Sequence, residues 1–80
     1  MNTSFNEQIA VTSFGFKNNL APYPRRIEVR GAVYEFIDAG LRCLIRRGES
    51  ACEVLTMSDG RSTFRLRHDG SAWTLLSITA

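Results

Sequence analysis

The chain has 80 residues, 44% of them apolar and 22% charged, with a formal net charge of +2 at neutral pH. That length excludes more than one domain and leaves a thin stability margin, because so short a chain buries only about 60–65% of its unfolded surface. The composition excludes global disorder, no apolar run reaches the roughly 18–20 residues of a membrane-crossing helix, and so small a charge argues little for a polyanionic partner.

The opening "MNTSFNEQIAV" has no basic region followed by an apolar one, and so predicts no secretory signal. Residues 1–6 read as a disordered tail of a single β domain spanning 1–80. The inferred setting is cytoplasmic, where a lasting disulfide is not expected. Ile9 and Val11, with Phe14 or Phe16, suggest a first strand. "KNNLAPYP" then reads as a loop, because Asn18, Asn19, Pro22 and Pro24 favour turns over helix.

From Arg25 onward an alternation of period two dominates, and turn residues close each run. A turn at Gly31-Ala32 would pair Val29 with Tyr34 and Ile27 with Phe36, collecting four apolar side chains on one face. It would also oppose Glu28 to Glu35. Ala39-Gly40 predicts a bend or bulge.

"LRCLIRRGESACEV" holds two cysteines with eight residues between them. A turn at Arg47-Gly48 sets Cys43 directly opposite Cys52, on one face with Leu41, Ile45 and Val54. Three readings follow from this: two small apolar thiols in the core, a disulfide or redox pair, and a metal site. Core placement is favoured, because a reducing compartment opposes the disulfide and this spacing is not a usual zinc spacing.

Asp59-Gly60 is the strongest turn signal in the chain. A bulged three-residue turn sets Val54 opposite Leu66 and Thr56 opposite Phe64. A strict two-residue turn would face Glu53 inward, so the bulged register is preferred. A last hairpin at Asp69-Gly70 pairs Leu66 with Trp73 and Phe64 with Leu75. Leu76 and Ile78 leave the final strand apolar on both sides, which calls for cover on both faces. The expected fold is all-β: an antiparallel meander of about six strands curled into a small, partly open barrel or a bent sheet.

The runs "PRRIEVRGAVYEF" and "DGRSTFRLRHDGSAWTL" give a Pro-x-x-apolar-x-apolar-x-Gly-x-x-Tyr hairpin and a closing apolar-x-apolar-x-x-Asp…Trp-x-Leu hairpin. The residues are Pro24, Ile27, Val29, Gly31, Tyr34, Phe64, Leu66, Asp69, Trp73 and Leu75. In this pattern the chain resembles a group of small bacterial all-β domains. That resemblance implies a compact β-fold and brings no activity, cofactor or catalytic residue.

His68 is the single histidine and reads as a turn residue; with two cysteines it falls short of a four-ligand zinc set. Ser58, Ser62 and Ser71 lie near Asp59, Asp69 and His68 in sequence, but no nucleophile elbow or oxyanion-hole motif accompanies them. The glycines form no phosphate loop. The chain therefore reads as a non-enzymatic protein without metal or cofactor.

The predicted outward face carries Arg42, Leu44, Arg46, Leu55, Met57, Arg65 and Arg67. It is either a solvated face of ion pairs or a surface for a partner. A protein partner or self-association ranks first. Nucleic acid ranks second, because Tyr34, Phe36, Phe64 and Trp73, which would stack on bases, are all predicted inward.

Overall fold

The computed structural model describes residues 2–16, 22–70 and 72–80, and every regular element among them is a strand. The strands are β1 (Asn2–Gly15), β2 (Tyr23–Val29), β3 (Ala32–Glu35), β4 (Leu41–Arg47), β5 (Ser50–Ser58), β6 (Thr63–Asp69) and β7 (Ala72–Thr79). They form one antiparallel sheet in the order β3-β2-β1-β7-β6-β5-β4. Chain neighbours are sheet neighbours except β3 and β4, which form the two edges. Residues 36–40 carry the chain from one edge to the other across the open side.

The fold is thus the expected curled all-β sheet, with one more strand than the sequence pattern separated. β1 contains the first strand expected about Ile9 and Val11 but is longer. It begins at Asn2, within the segment expected as a tail, and pairs with β7 on one side and β2 on the other. Most of the expected 17–24 loop lies outside the described residues, although Tyr23 and Pro24 already belong to β2.

Curling brings Ile27, Val29 and Phe36 against Leu55, Met57, Phe64, Leu66, Trp73 and Leu75 in one core. Phe64 stands at its centre, with the Tyr34 and Phe36 rings tilted against it at centroid distances of 5.0 and 5.2 Å. Phe64 and Trp73 share this inner side, as the alternation predicts.

Each hairpin register differs from the expected one, for identifiable reasons. The β2–β3 turn is Arg30-Gly31, with φ of 51° and 81°, so that Val29 meets Ala32 and Ile27 meets Tyr34. Positive φ at both central positions is the primed turn that suits strand twist, and glycine takes the second position without steric cost. The register moves by two residues, so the inward set survives. The predicted Glu28–Glu35 clash disappears, and Glu35 instead stands opposite Arg26, whose Nε donates to it at 2.9 Å.

At the β6–β7 hairpin, Leu66 meets Leu75 and Phe64 meets Ile78, with a bulge between. One extra residue reverses the alternation. Leu75 and Ile78 therefore both turn toward the core, and Leu76 is left on the outer face. This resolves the two-sided apolarity of the last strand locally, by a bulge.

Candidate interaction edge

The β5–β6 connection has four residues, Asp59–Ser62, and sets Leu55 opposite Leu66 and Met57 opposite Phe64. The Asp59 carboxylate holds this loop by accepting from the Ser62 and Arg61 amides at 2.7 and 2.9 Å. The Ser62 amide is the chief reason that the Asp59 pKa lies below its usual value. Both Leu55 and Met57 are consequently buried in the core, which corrects their expected place on an outward face. The objection to this register was Glu53, and the structure answers it with an ion pair to Arg42 at the open rim of the core.

The β4–β5 hairpin also shifts by two residues, so that Cys43 meets Val54 and Ile45 meets Cys52. The two thiols are not opposite each other, and both are free. Nor is this face of β4 part of the core. Leu41, Cys43 and Ile45 lie on the outer side of the sheet, with Leu41 78% and Ile45 40% exposed, which corrects the inward placement read from the pattern. Val54 is buried on this outer side, in a cavity of about 470 Å³ whose lining includes Ile45, Cys52, Arg67 and Leu76.

The seven residues expected to form one face therefore divide three ways. Arg42, Leu44 and Arg46 lie on the core side of β4, beyond the rim where the core ends. Leu55 and Met57 are inside it. Arg65 and Arg67 lie on the outer face, because they pair with Thr56 and Val54. No single arginine surface exists, and among the described residues the exposed aromatics are Phe14 and Phe16 rather than a stacking platform beside the arginines.

What the sequence pattern missed is that β4 is an exposed edge. All seven of its residues are exposed, it is an edge of the sheet, and its outer side is apolar at Leu41, Cys43 and Ile45, while its core side carries Leu44, 53% exposed, between Arg42 and Arg46. A two-residue hairpin makes the pair flanking the turn, Arg47 and Ser50, hydrogen-bonded, and the bonding then alternates. Arg42, Leu44 and Arg46 accordingly aim their backbone N–H and C=O groups at the open edge. The available signal was "LRCLI", in which Leu44 breaks the otherwise charged side opposite Leu41, Cys43 and Ile45.

The other edge, β3, has only four residues and is the shorter, better protected type of edge. Gly40 places β4 in register: its φ of 74° bends the chain beside Met57 and Thr56, at the predicted Ala39-Gly40 bend. Just before it, Ile37 N donates to Ser58 O at 2.8 Å, and Ser58 N donates to the Asp38 carboxylate at 3.1 Å. Asp38 thus stands at the Leu41 end of β4.

Among the described residues, no group of three or more His, Cys, Asp or Glu side chains is disposed to hold a metal ion, and no helix is long and apolar enough to cross a membrane. His68 stacks on Trp73, with centroids 4.0 Å apart and rings nearly parallel. No family model, curated protein or solved structure matches the chain.

Proposed function

We propose that this is a small, non-enzymatic interaction module that adds a polypeptide strand to its β4 edge. The observation that carries this reading is the exposure of every residue of an edge strand whose outer side, Leu41, Cys43 and Ile45, is apolar. Such a strand offers backbone hydrogen bonds for affinity and side chains on both faces for selectivity. Apolar side chains left in water at an unpaired edge favour association, and a domain this small gains stability from it. Arg42, Arg46 and Arg47 flank the apolar residues as charges that discourage indiscriminate pairing.

Nucleic acid ranks second here. The arginines are split between two faces and Arg42 is engaged by Glu53, so a phosphate backbone would meet fewer free guanidinium groups than the sequence pattern implied.

Leu44→Pro tests the reading. Proline at Leu44 removes an N–H that points outward and leaves the ladder to β5 intact, whereas Ile45→Pro removes a ladder bond. The Leu44→Pro protein is expected to keep its near-ultraviolet circular dichroism and to lose protein association. This is measured by sedimentation and by affinity capture from cell extract with and without nuclease. Ile45→Pro is expected to lower stability by about 0.5–1.5 kcal/mol or more, the net worth of the ladder hydrogen bond it removes. Association that persists unchanged in folded Leu44→Pro protein, or that nuclease abolishes, would contradict strand addition.

A further inference from the structure

We infer that the strand taken up at β4 is the β4 of a second copy, paired antiparallel about a two-fold axis through Cys43. This rests on the strand-addition reading and specifies its partner. Antiparallel pairing has to match the outward-pointing residues Arg42, Leu44 and Arg46 of one copy with those of the other. An axis through Arg42 or Arg46 opposes an arginine to itself, which leaves Cys43, Leu44 and Ile45, and charge decides among them.

An axis through Leu44 sets Arg42 opposite Arg46, twice by symmetry. An axis through Ile45 gathers Arg46 and Arg47 of both copies at the centre and faces Cys43 with Arg47. The first sets like charges directly across the ladder, and the second crowds four guanidinium groups diagonally about the axis with no ion pair for them among the described residues; both are unfavourable. An axis through Cys43 sets no like charges directly across, and the arginines it brings together at the centre, the two Arg42, are each paired with their own Glu53. It sets Leu41 opposite Ile45 of the second copy, Arg42 opposite Leu44 and Cys43 opposite itself. Arg46 and Arg47 of the second copy arrive at the Leu41 end, where Asp38 stands, and the exchange is repeated at the other end.

This register also joins apolar surface. Leu41, Cys43 and Ile45 from both copies form one cluster on the outer face, which runs into each copy's cavity over Val54 and Leu76. The interface is isologous and closes on itself, so pairing stops at two copies and does not propagate through β4. Arg42 stays neutralised by its own Glu53.

Cys43 on the axis makes the register testable. The two cysteines would be a non-hydrogen-bonded pair with α-carbons about 4.5 Å apart, within the range a disulfide spans. The experiment uses the full chain with Cys52→Ala, so that Cys43 is the only thiol, and diamide as the oxidant that takes up the two electrons and two protons released. A disulfide-linked dimer is expected, several-fold more abundant than in the Leu44→Pro, Cys52→Ala protein. The unmodified, reduced chain is expected to sediment as a dimer that dissociates on dilution.

Equal trapping in the presence and absence of Leu44→Pro would overturn the inference, since it would report chance collision. A dimer trapped by Leu44→Cys in a chain lacking both native cysteines, but not through Cys43, would overturn the register and leave strand addition standing. A chain that stays monomeric at every concentration while its β4 edge captures another protein would overturn the second copy alone. Should Cys52→Ala fail to fold, sedimentation of the unmodified chain against Leu44→Pro carries the test.

Discussion

Phe64→Ala is expected to lower stability by about 3–5 kcal/mol, the usual cost of removing a buried phenylalanine ring together with the cavity it leaves. Phe64 is fully buried, and two aromatic rings lean on it. A domain of this size has roughly 4–12 kcal/mol in total at the usual stability per residue, so the substitution removes about a quarter to all of that margin. Thermal and denaturant unfolding followed through Trp73 fluorescence measures this directly. Leu41→Ala serves as the comparison, because a side chain already in water is worth no more than about 0.5 kcal/mol to the folded monomer. If both substitutions cost the same, the core assigned here is wrong.

Gly40→Ala is the second substitution with a large expected effect. A β-carbon there would overlap Met57 Sδ and stand 2.8 Å from the Thr56 carbonyl oxygen, on a backbone whose φ is 74°. Met57 is buried and has no solvent into which to retreat. Overpacking of about 1–3 kcal/mol adds to the cost of the left-handed backbone, on the order of 1 kcal/mol or more. Gly48→Ala isolates the two contributions, since Gly48 also has positive φ (58°) but nothing within 4 Å of an added β-carbon. Denaturant melts are expected to show Gly40→Ala as the more destabilising by about 1–3 kcal/mol. Equal effects would mean that the close approach of Gly40 to β5 does not exist.

Much of the sheet was legible in the sequence because alternation survives a register error of two residues. Ile27, Val29, Phe64, Leu66, Trp73 and Leu75 keep their face whether the turn lies at Gly31-Ala32 or Arg30-Gly31, and at Asp69-Gly70 or one residue later. An error of one residue is fatal, and β5 suffered it. Rejecting the register that turned Glu53 inward was sound for an isolated hairpin, but Arg42 on the neighbouring strand answers that carboxylate; the turn expected at Arg47-Gly48 already sets Arg42 opposite Glu53, though on an outward face, so the pair did not weigh in favour of an inward Glu53.

β4 misled for a related reason. Leu41, Cys43 and Ile45 alternate like a buried strand, and their exposure follows from sheet order, with β4 last in the row. The alternation records a strand; which strands end the sheet is a property of the whole topology. The arginines repeat the lesson, because Arg65 and Arg67 part from Arg42 and Arg46 once the β5 register is known.

Residue-by-residue amide exchange along β4, read by nuclear magnetic resonance in dilute reduced protein, tests the open edge most directly. The amides of Cys43 and Ile45 should be protected by their bonds to β5, while those of Arg42, Leu44 and Arg46 exchange near the rate of free peptide and slow as the protein is concentrated. Leu44 protected as strongly as Ile45 in dilute monomer would show that the edge is already covered, and strand addition at β4 would have to be abandoned.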